Sequence, residues 1–349
     1  MPESVSMPVV DRVGWIAEAE YWLVDDPELS KAVLADDRFS SSTLGPSFSR
    51  FVSPQVRREC AHLLDVLGRW FVDHDPPEHT QERRRCQSHF SRGTLARLTP
   101  RIEHIVADVL DRIDARPDTV ADAVTDIAQP VSARVISLAL GLEAADAETL
   151  HRWSQDIGRF VGAVYRPDFA RAAQGSLQEM AAMLQAHLAG GGTSAYEGSD
   201  PSESLAAHTM MLFGGLETSA RLIGQVVWAV ATGECGPKTP ADDVIEAMLR
   251  RFPPVKYVAR ALSCDVSLAG HAMREGDLVM VSLAGSADEL LAFGWGRHFC
   301  LGMPLTMLET RILLDEFRRR YPRAALVPGG ARESDNPLYH GFGELLFRP

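Results

Sequence analysis

The stretch Phe293-Gly294-Trp295-Gly296-Arg297-His298-Phe299-Cys300-Leu301-Gly302 carries the densest chemical information in the chain. Its glycines let a backbone bend tightly, or come close to a flat ligand with no Cβ in the way. Cys300 stands just ahead of a helical pattern running from Pro304 to Phe317. The spacing therefore puts its thiol at a helix N-terminus, where the dipole and unpaired N–H groups favour the thiolate, a soft metal ligand. Arg297 and His298 lie beside it and can meet carboxylates. Taken singly, the same residues describe a glycine-rich loop around a buried cysteine. A zinc site through His298 and Cys300 is a further reading, but no second ligand pair is in sight.

Three other segments bear on this loop. Asp75-Pro76-Pro77-Glu78-His79-Thr80-Gln81-Glu82-Arg83-Arg84 starts a charged helix whose His79 and Arg83, at i and i+4, share one face and can both donate to carboxylates. Phe213-Gly214-Gly215-Leu216-Glu217-Thr218-Ser219 lies in a long apolar helical pattern. Two glycines inside a helix cost about 1 kcal/mol each against alanine, so a close contact or a distortion is expected there. Phe252-Pro253-Pro254-Val255 leads through Lys256, Tyr257 and Val258 to Ala259-Arg260. An exposed helix start, a helix kink filled by small residues, and a strand arginine paired with some acid are the plain structural accounts of the three.

Taken together, these residues resemble the cytochrome P450 superfamily, in its bacterial, soluble, haem-thiolate monooxygenase form. Phe293, Gly294, Gly296, His298, Cys300 and Gly302 match every fixed position of the family's cysteine loop. The resemblance implies a mainly α fold with a small β part, in one domain spanning 1–349, and haem b as cofactor with Cys300 on the iron. It implies that His79, Arg83, Arg260 and His298 hold the haem propionates. Gly214 and Gly215 would let the central helix cross the haem face. Glu217 and Thr218 resemble the family's acid–alcohol pair, in which a carboxylate near bulk water reloads a proton and a hydroxyl holds the water that passes it on. Val24-Asp25-Asp26-Pro27-Glu28 and Val33 to Ser40 look like the family's opening strand and helix, so the resemblance covers most of the chain.

The chain also departs from the family. Aligning Pro253 and Pro254 places the usual helical arginine at Arg250, and the glutamate three residues earlier is then Ala247. Glu246 is adjacent, but one residue along a helix rotates a side chain by about 100°. The segment from Ala284 to Leu291 runs straight into the cysteine loop, so the meander that normally supplies an arginine to that network is missing. The segments Thr232 to Asp243 and Ala189 to Ser204 are short. Loss of the whole network is coherent, since removing one member alone leaves a buried charge unpaired at a cost of several kcal/mol. Arg250 is expected to find another acid or solvent.

The rest of the sequence bounds the function. With 349 residues, 46% of them apolar, the chain can bury a large core. A net charge of −12 argues against nucleic acid or an anionic membrane as partner. Met1 to Ala17 shows no signal peptide or anchor. Five cysteines at irregular spacing fit a reducing, cytoplasmic location rather than a disulfide framework. Helical periodicity marks Leu98 to Ile113, with Pro100 in a first turn. It also marks Ala121 to Leu142, with a break at Pro130, and Leu177 to Leu188. Val266 to Leu268 and Leu278 to Val281 suggest a small hairpin. The expected activity is oxidation of a small or medium organic molecule in bacterial specialised metabolism, by monooxygenation or oxidative coupling. Electrons would come from a separate, ferredoxin-type partner. Peroxide-driven or redox-neutral haem chemistry is an alternative, as is a haem-free helper of a glycosyltransferase.

Overall fold

The computed structural model describes residues 12–43, 52–116, 120–142, 146–192, 200–286, 289–336 and 338–349. Its centre is a helix of 31 residues, α9 (Pro201–Ala231), roughly 46 Å long at 1.5 Å per residue. Asp200 caps it by accepting from the Ser202 N–H, and Pro201 occupies its first turn, where a missing N–H costs nothing. Leu212, Leu216, Ile223, Val226 and Val227 are buried around its length, so it is wrapped by protein rather than exposed along one side.

Around it pack α6 (Gln129–Leu140), α7 (Ala147–Gly162), α10 (Ala241–Arg251) and α11 (Met303–Arg320). Beyond these lie α5 (Arg92–Asp114) and α8 (Pro167–Ala189). Shorter helices α1 (Pro27–Ala35), α2 (Pro54–Glu59), α3 (Ala61–Leu67) and α4 (Glu78–Gln87) fill the first part of the chain. Strand β1 (Val13–Ile16) pairs with β2 (Tyr21–Val24), which runs parallel to β8 (Leu278–Ser282). Next come β5 (Tyr257–Leu262) and the short β3 (Phe39–Ser40), completing a five-stranded sheet. A three-stranded sheet joins β4 (Ala121–Asp122), β10 (Phe342–Arg348) and β9 (Ala325–Glu333). The fold is mainly α with a small β part, as expected. No helix among the described residues is long and apolar enough to cross a membrane.

Several local expectations need correction. Val266–Leu268 pairs with His271–Met273, not with Leu278–Ser282. The latter lies between β2 and β5, where Val279 and Val281 are fully buried. A turn at Ala269-Gly270 suffices for the first pairing, and burial in the larger sheet claims the second strand. Pro100 lies inside α5 rather than in its first turn. The helix begins earlier because Ser91 caps it through the Thr94 N–H. The expected break at Pro130 takes the form of a π-helical stretch, Ala123–Ala128, in which the Gln129 N–H reaches Val124 five residues back before α6 begins. Of the three segments noted as short or direct, two are described only in part, since 193–199 and 287–288 lie outside the described residues.

Candidate haem site

The cysteine loop folds as its glycines require. Gly294 and Gly296 have φ of 72° and 70°, values that side-chain-bearing residues avoid. A Cβ on Gly296 would sit 2.9 Å from the Leu34 carbonyl oxygen, so α1 closes against the loop there. The Cys300 N–H donates to the Phe293 carbonyl at 2.8 Å, and the Phe293 and Phe299 ring centroids lie 6.4 Å apart in a tilted arrangement. Gly302 is the N-cap of α11. Burial pushes the Cys300 thiol up, while the Gly302 and Met303 N–H groups and the Arg83 charge favour the thiolate. This is the helix-terminus environment read from the sequence.

Four cationic or potentially cationic side chains converge beside this loop. His79 is buried on α4, and its ring centroid lies 4.1 Å from that of His298. Arg83, one turn further on, donates to the Phe299 carbonyl at 2.7 Å. Arg260, on β5, is buried and donates to the neighbouring Ala259 carbonyl. Burial pushes its guanidinium down to about 10, with Asp75 and Asp73 opposing the shift. His298 is pushed down to about 3 by burial and by the facing His79, Arg260, Arg297 and Arg83. Both ring nitrogens of His79 and Nε2 of His298 are buried without a protein partner. Arg297, in contrast, turns away to pair with Asp37.

The central helix carries the remaining candidate residues. It stays helical through its glycine pair. Gly215 is explained by close approach, since a Cβ there would lie 2.8 Å from the Ile136 side chain. A Cβ on Gly214 would meet nothing within 4 Å, and the residue is exposed. The Thr218 hydroxyl donates to the Gly214 carbonyl. Glu217 meets solvent only through a partly open cavity that it lines with His151 and Arg221. It is only 5% exposed, and sits between His151 of α7 at 3.3 Å and Arg221 at 3.2 Å. Burial pushes its carboxyl up, but these two partners outweigh burial and hold it below the usual range.

Other residues of this neighbourhood escaped the sequence reading. Arg221 follows Glu217 at i+4, a spacing readable in the sequence, whereas His151 carries no local signal. Glu309 on α11 is 2% exposed, and its carboxyl is pushed up to about 8 by burial, with only the Ser219 hydroxyl opposing. Arg250 pairs with Glu246 at 3.0 Å, so the acid one position off does reach it.

No protein-family model matches the chain. It is 29% identical over 371 residues to the cytochrome P450 monooxygenase PikC of Streptomyces venezuelae, covering 94% of this chain and 85% of PikC. It is 30% identical over 361 residues to the mycinamicin VIII C21 methyl hydroxylase of Micromonospora griseorubida, covering 93% of this chain and 89% of the hydroxylase. The chain belongs to the cytochrome P450 superfamily. The fold of this P450 agrees with solved structures. CalO2 matches with a TM-score of 0.82 at 25% identity, covering 97% of this chain and 92% of CalO2. P450BioI, in complex with an acyl carrier protein bearing hexadec-9-Z-enoic acid, matches with a TM-score of 0.82 at 21% identity, covering 94% and 91%. As a P450, the chain is a haem-thiolate oxidoreductase of the monooxygenase type, and haem is its cofactor.

The donor set suits that cofactor. Haem carries two carboxylates, and a buried cluster of arginines and histidines with orphaned ring nitrogens is what a buried dianion needs. Among the described residues, no group of three His, Cys, Asp or Glu side chains is placed to hold a metal ion by itself. The zinc reading of His298 and Cys300 therefore has no ligand set.

Proposed function

We propose that this P450 holds haem b through the Cys300 thiolate and oxidises a small or medium organic molecule in bacterial specialised metabolism, by monooxygenation or oxidative coupling. The observation that carries the reading is the cluster of buried His79 and Arg260 with partly buried Arg83 and His298 beside a cysteine at a helix N-terminus. These four side chains would hold the two propionates, with each buried charge-assisted contact worth about 1.5–3 kcal/mol. Phe293, Gly294, Gly296 and Gly302 would shape the loop beneath the ring, and Gly214 and Gly215 the helix above it. Haem, when bound, supplies reductive activation of dioxygen.

Within this reading the protein's own groups bind, orient and move protons. The Gly302 and Met303 N–H groups steady the sulfur's negative charge. Glu217 passes a proton through water toward Thr218, whose hydroxyl orients that water. Val255, Lys256, Tyr257 and Val258, with Phe213 and the turn at Phe342, would border the substrate. Electrons would come from a separate ferredoxin-type protein, and the whole would form one domain over 1–349. The cysteines are all free thiols, which supports a reducing, cytoplasmic setting.

The test is the absorption spectrum of the reduced, carbon-monoxide-bound protein. One haem per chain and the red-shifted Soret band of a thiolate complex are expected, and Cys300→Ala should abolish that band. The same spectrum in both proteins would end the ligand assignment. A chain that takes up no haem would favour the haem-free helper reading.

A further inference from the structure

Arg221 of α9 and Lys256, the residue ahead of β5, flank one turn of chain, 338–341. The Tyr339 ring covers Arg221 at 5.0 Å, and a Cβ on Gly341 would sit 3.0 Å from the Arg221 side chain. On the other side of the turn, the Lys256 N–H donates to the Leu338 carbonyl at 2.9 Å. We infer that Arg221 and Lys256 form a carboxylate-binding subsite for the substrate beneath this turn. The inference rests on the oxidation of an organic molecule proposed above and names its class, an organic acid.

The first argument is unspent hydrogen-bonding capacity. The Arg221 side chain is 10% exposed and gives Nη2 to Glu217 at 3.2 Å. Its Nε and Nη1 are buried with no partner among the described residues. A guanidinium is always charged and can only donate, so these atoms need an acceptor. Lys256 is half-buried, and its ammonium makes no hydrogen bond or ion pair among the described residues. Burial lowers its ammonium from the usual range, the Arg221 charge adds to this, and Glu333 opposes it. Glu333 is exposed, so solvent screens that help. His340 also feels both cations, but its Nδ1 is taken by the Pro253 carbonyl at 2.9 Å. Two cations thus stand against one buried anion, Glu217. A single carboxylate supplies the missing charge and acceptors, whereas a dianion would be repelled by Glu217 and an amine by both cations.

The second argument is position. Arg221 lines a partly open cavity with Gln155, Ser334 and Phe342, and Phe342 belongs to the turn proposed to border the substrate. Arg221 follows Thr218 by three residues, which on a helix is about 4.5 Å along and about 60° short of a full turn. It therefore leaves α9 near the face that carries the Thr218 hydroxyl. Lys256 extends β5 backward, since its carbonyl also accepts from the Leu283 N–H at 2.9 Å. Side chains alternate along an extended chain, so Lys256 and Arg260 share a side, about 13 Å apart. One end of that side serves the carboxylates of the cofactor, and the other is free for an acid on the substrate.

The test uses the intact haem protein. Hexanoate, octanoate, decanoate and dodecanoate are titrated beside their methyl esters while the Soret band is followed. At least one acid should bind about ten-fold or more tighter than its ester. Lys256→Met should erase most of that preference and leave ester binding unchanged, while Lys256→Arg should keep it. In the carbon-monoxide-bound wild type, the carbon NMR signal of the Lys256 side chain next to its nitrogen should move with the acid and not with the ester. That measurement decides should Lys256→Met fail to fold. No acid preferred over its ester overturns the inference, as does a preference that survives in Lys256→Met. Acetate that displaces the longer acids at equal concentration would make this a site for a free small anion and overturns the substrate assignment. A protein without the thiolate band of the carbon-monoxide complex fails the functional reading before any acid is added. One with that band and no acid preference fails this inference alone.

Discussion

The imidazoles of His79 and His298 face each other with ring centroids 4.1 Å apart, one from a helix and one from the cysteine loop 219 positions later. A buried and a partly buried imidazole with unpartnered ring nitrogens, flanked by Arg83 and Arg260, make a poor structural core by themselves. The pairing is reasonable only if an anion is shared between them. Arg260→Leu should therefore weaken haem retention by roughly 10–100-fold, matching about 1.5–3 kcal/mol for a buried charge-assisted contact. The haem-free chain should lose little thermal stability, because the desolvation cost of a buried guanidinium is removed with it. Haem transfer to an acceptor protein and melting of the haem-free chain measure the two effects. Wild-type haem retention in Arg260→Leu would remove that residue from the propionate assignment.

Thr218→Ala should leave the carbon-monoxide spectrum intact and divert electrons from product to hydrogen peroxide. The hydroxyl now donates to the Gly214 carbonyl, on the face of α9 that carries the glycine pair. Product and peroxide per electron are measured side by side with a surrogate redox partner. Unchanged coupling would shift weight to peroxide-driven or redox-neutral chemistry, which does not depend on this relay.

Ala247→Glu should not stabilise the fold. Ala247 is exposed, and Arg250 is already paired with Glu246. A second half-solvated carboxylate on the same arginine is worth about 0.5 kcal/mol at most. A clear rise in melting temperature would contradict this and would mean that the family's ion network can be rebuilt from one member.

Glu309 makes stability depend on pH. Its carboxyl is pushed up to about 8 in the folded chain, mainly by burial, so the folded state keeps a proton that the unfolded state has released. Where the folded state binds more protons, stability falls as pH rises. The loss should run from about pH 4.5 to about pH 8, between the ordinary glutamate value and the folded one. Glu309→Gln should remove it, raising stability at pH 7 by up to about 3 kcal/mol and changing little near pH 5. Urea unfolding of both proteins at the two pH values is the measurement. Equal differences at both would show that Glu309 is ionised in the folded chain.

Much of the site was legible because its signals are local. A glycine at positive φ, a cysteine two residues before a helix cap, and a His–Arg pair at i and i+4 are each set by a few neighbouring residues. The departure at Ala247 was equally visible, and Arg250 does find the adjacent acid. The helices α5, α8 and α9 showed through apolar periodicity, which follows from burying one face or all of a helix. Their ends were less certain, as Pro100 shows. A cap at Ser91 set the start of α5, and the proline was carried inside it.

The sequence by itself determined the family, the helical class and the set of residues proposed to hold the cofactor. Tertiary structure alone decided what those residues face. Glu217 is adjacent to Thr218 in the chain, yet its state is set by His151 from another helix and by burial beneath the C-terminal turn. Leu278–Ser282 has the look of a hairpin arm, yet it became a central strand because β2, some 250 residues earlier, offers it a parallel edge. Burial and charge depend on which distant segments meet, and neither spacing nor periodicity encodes that meeting.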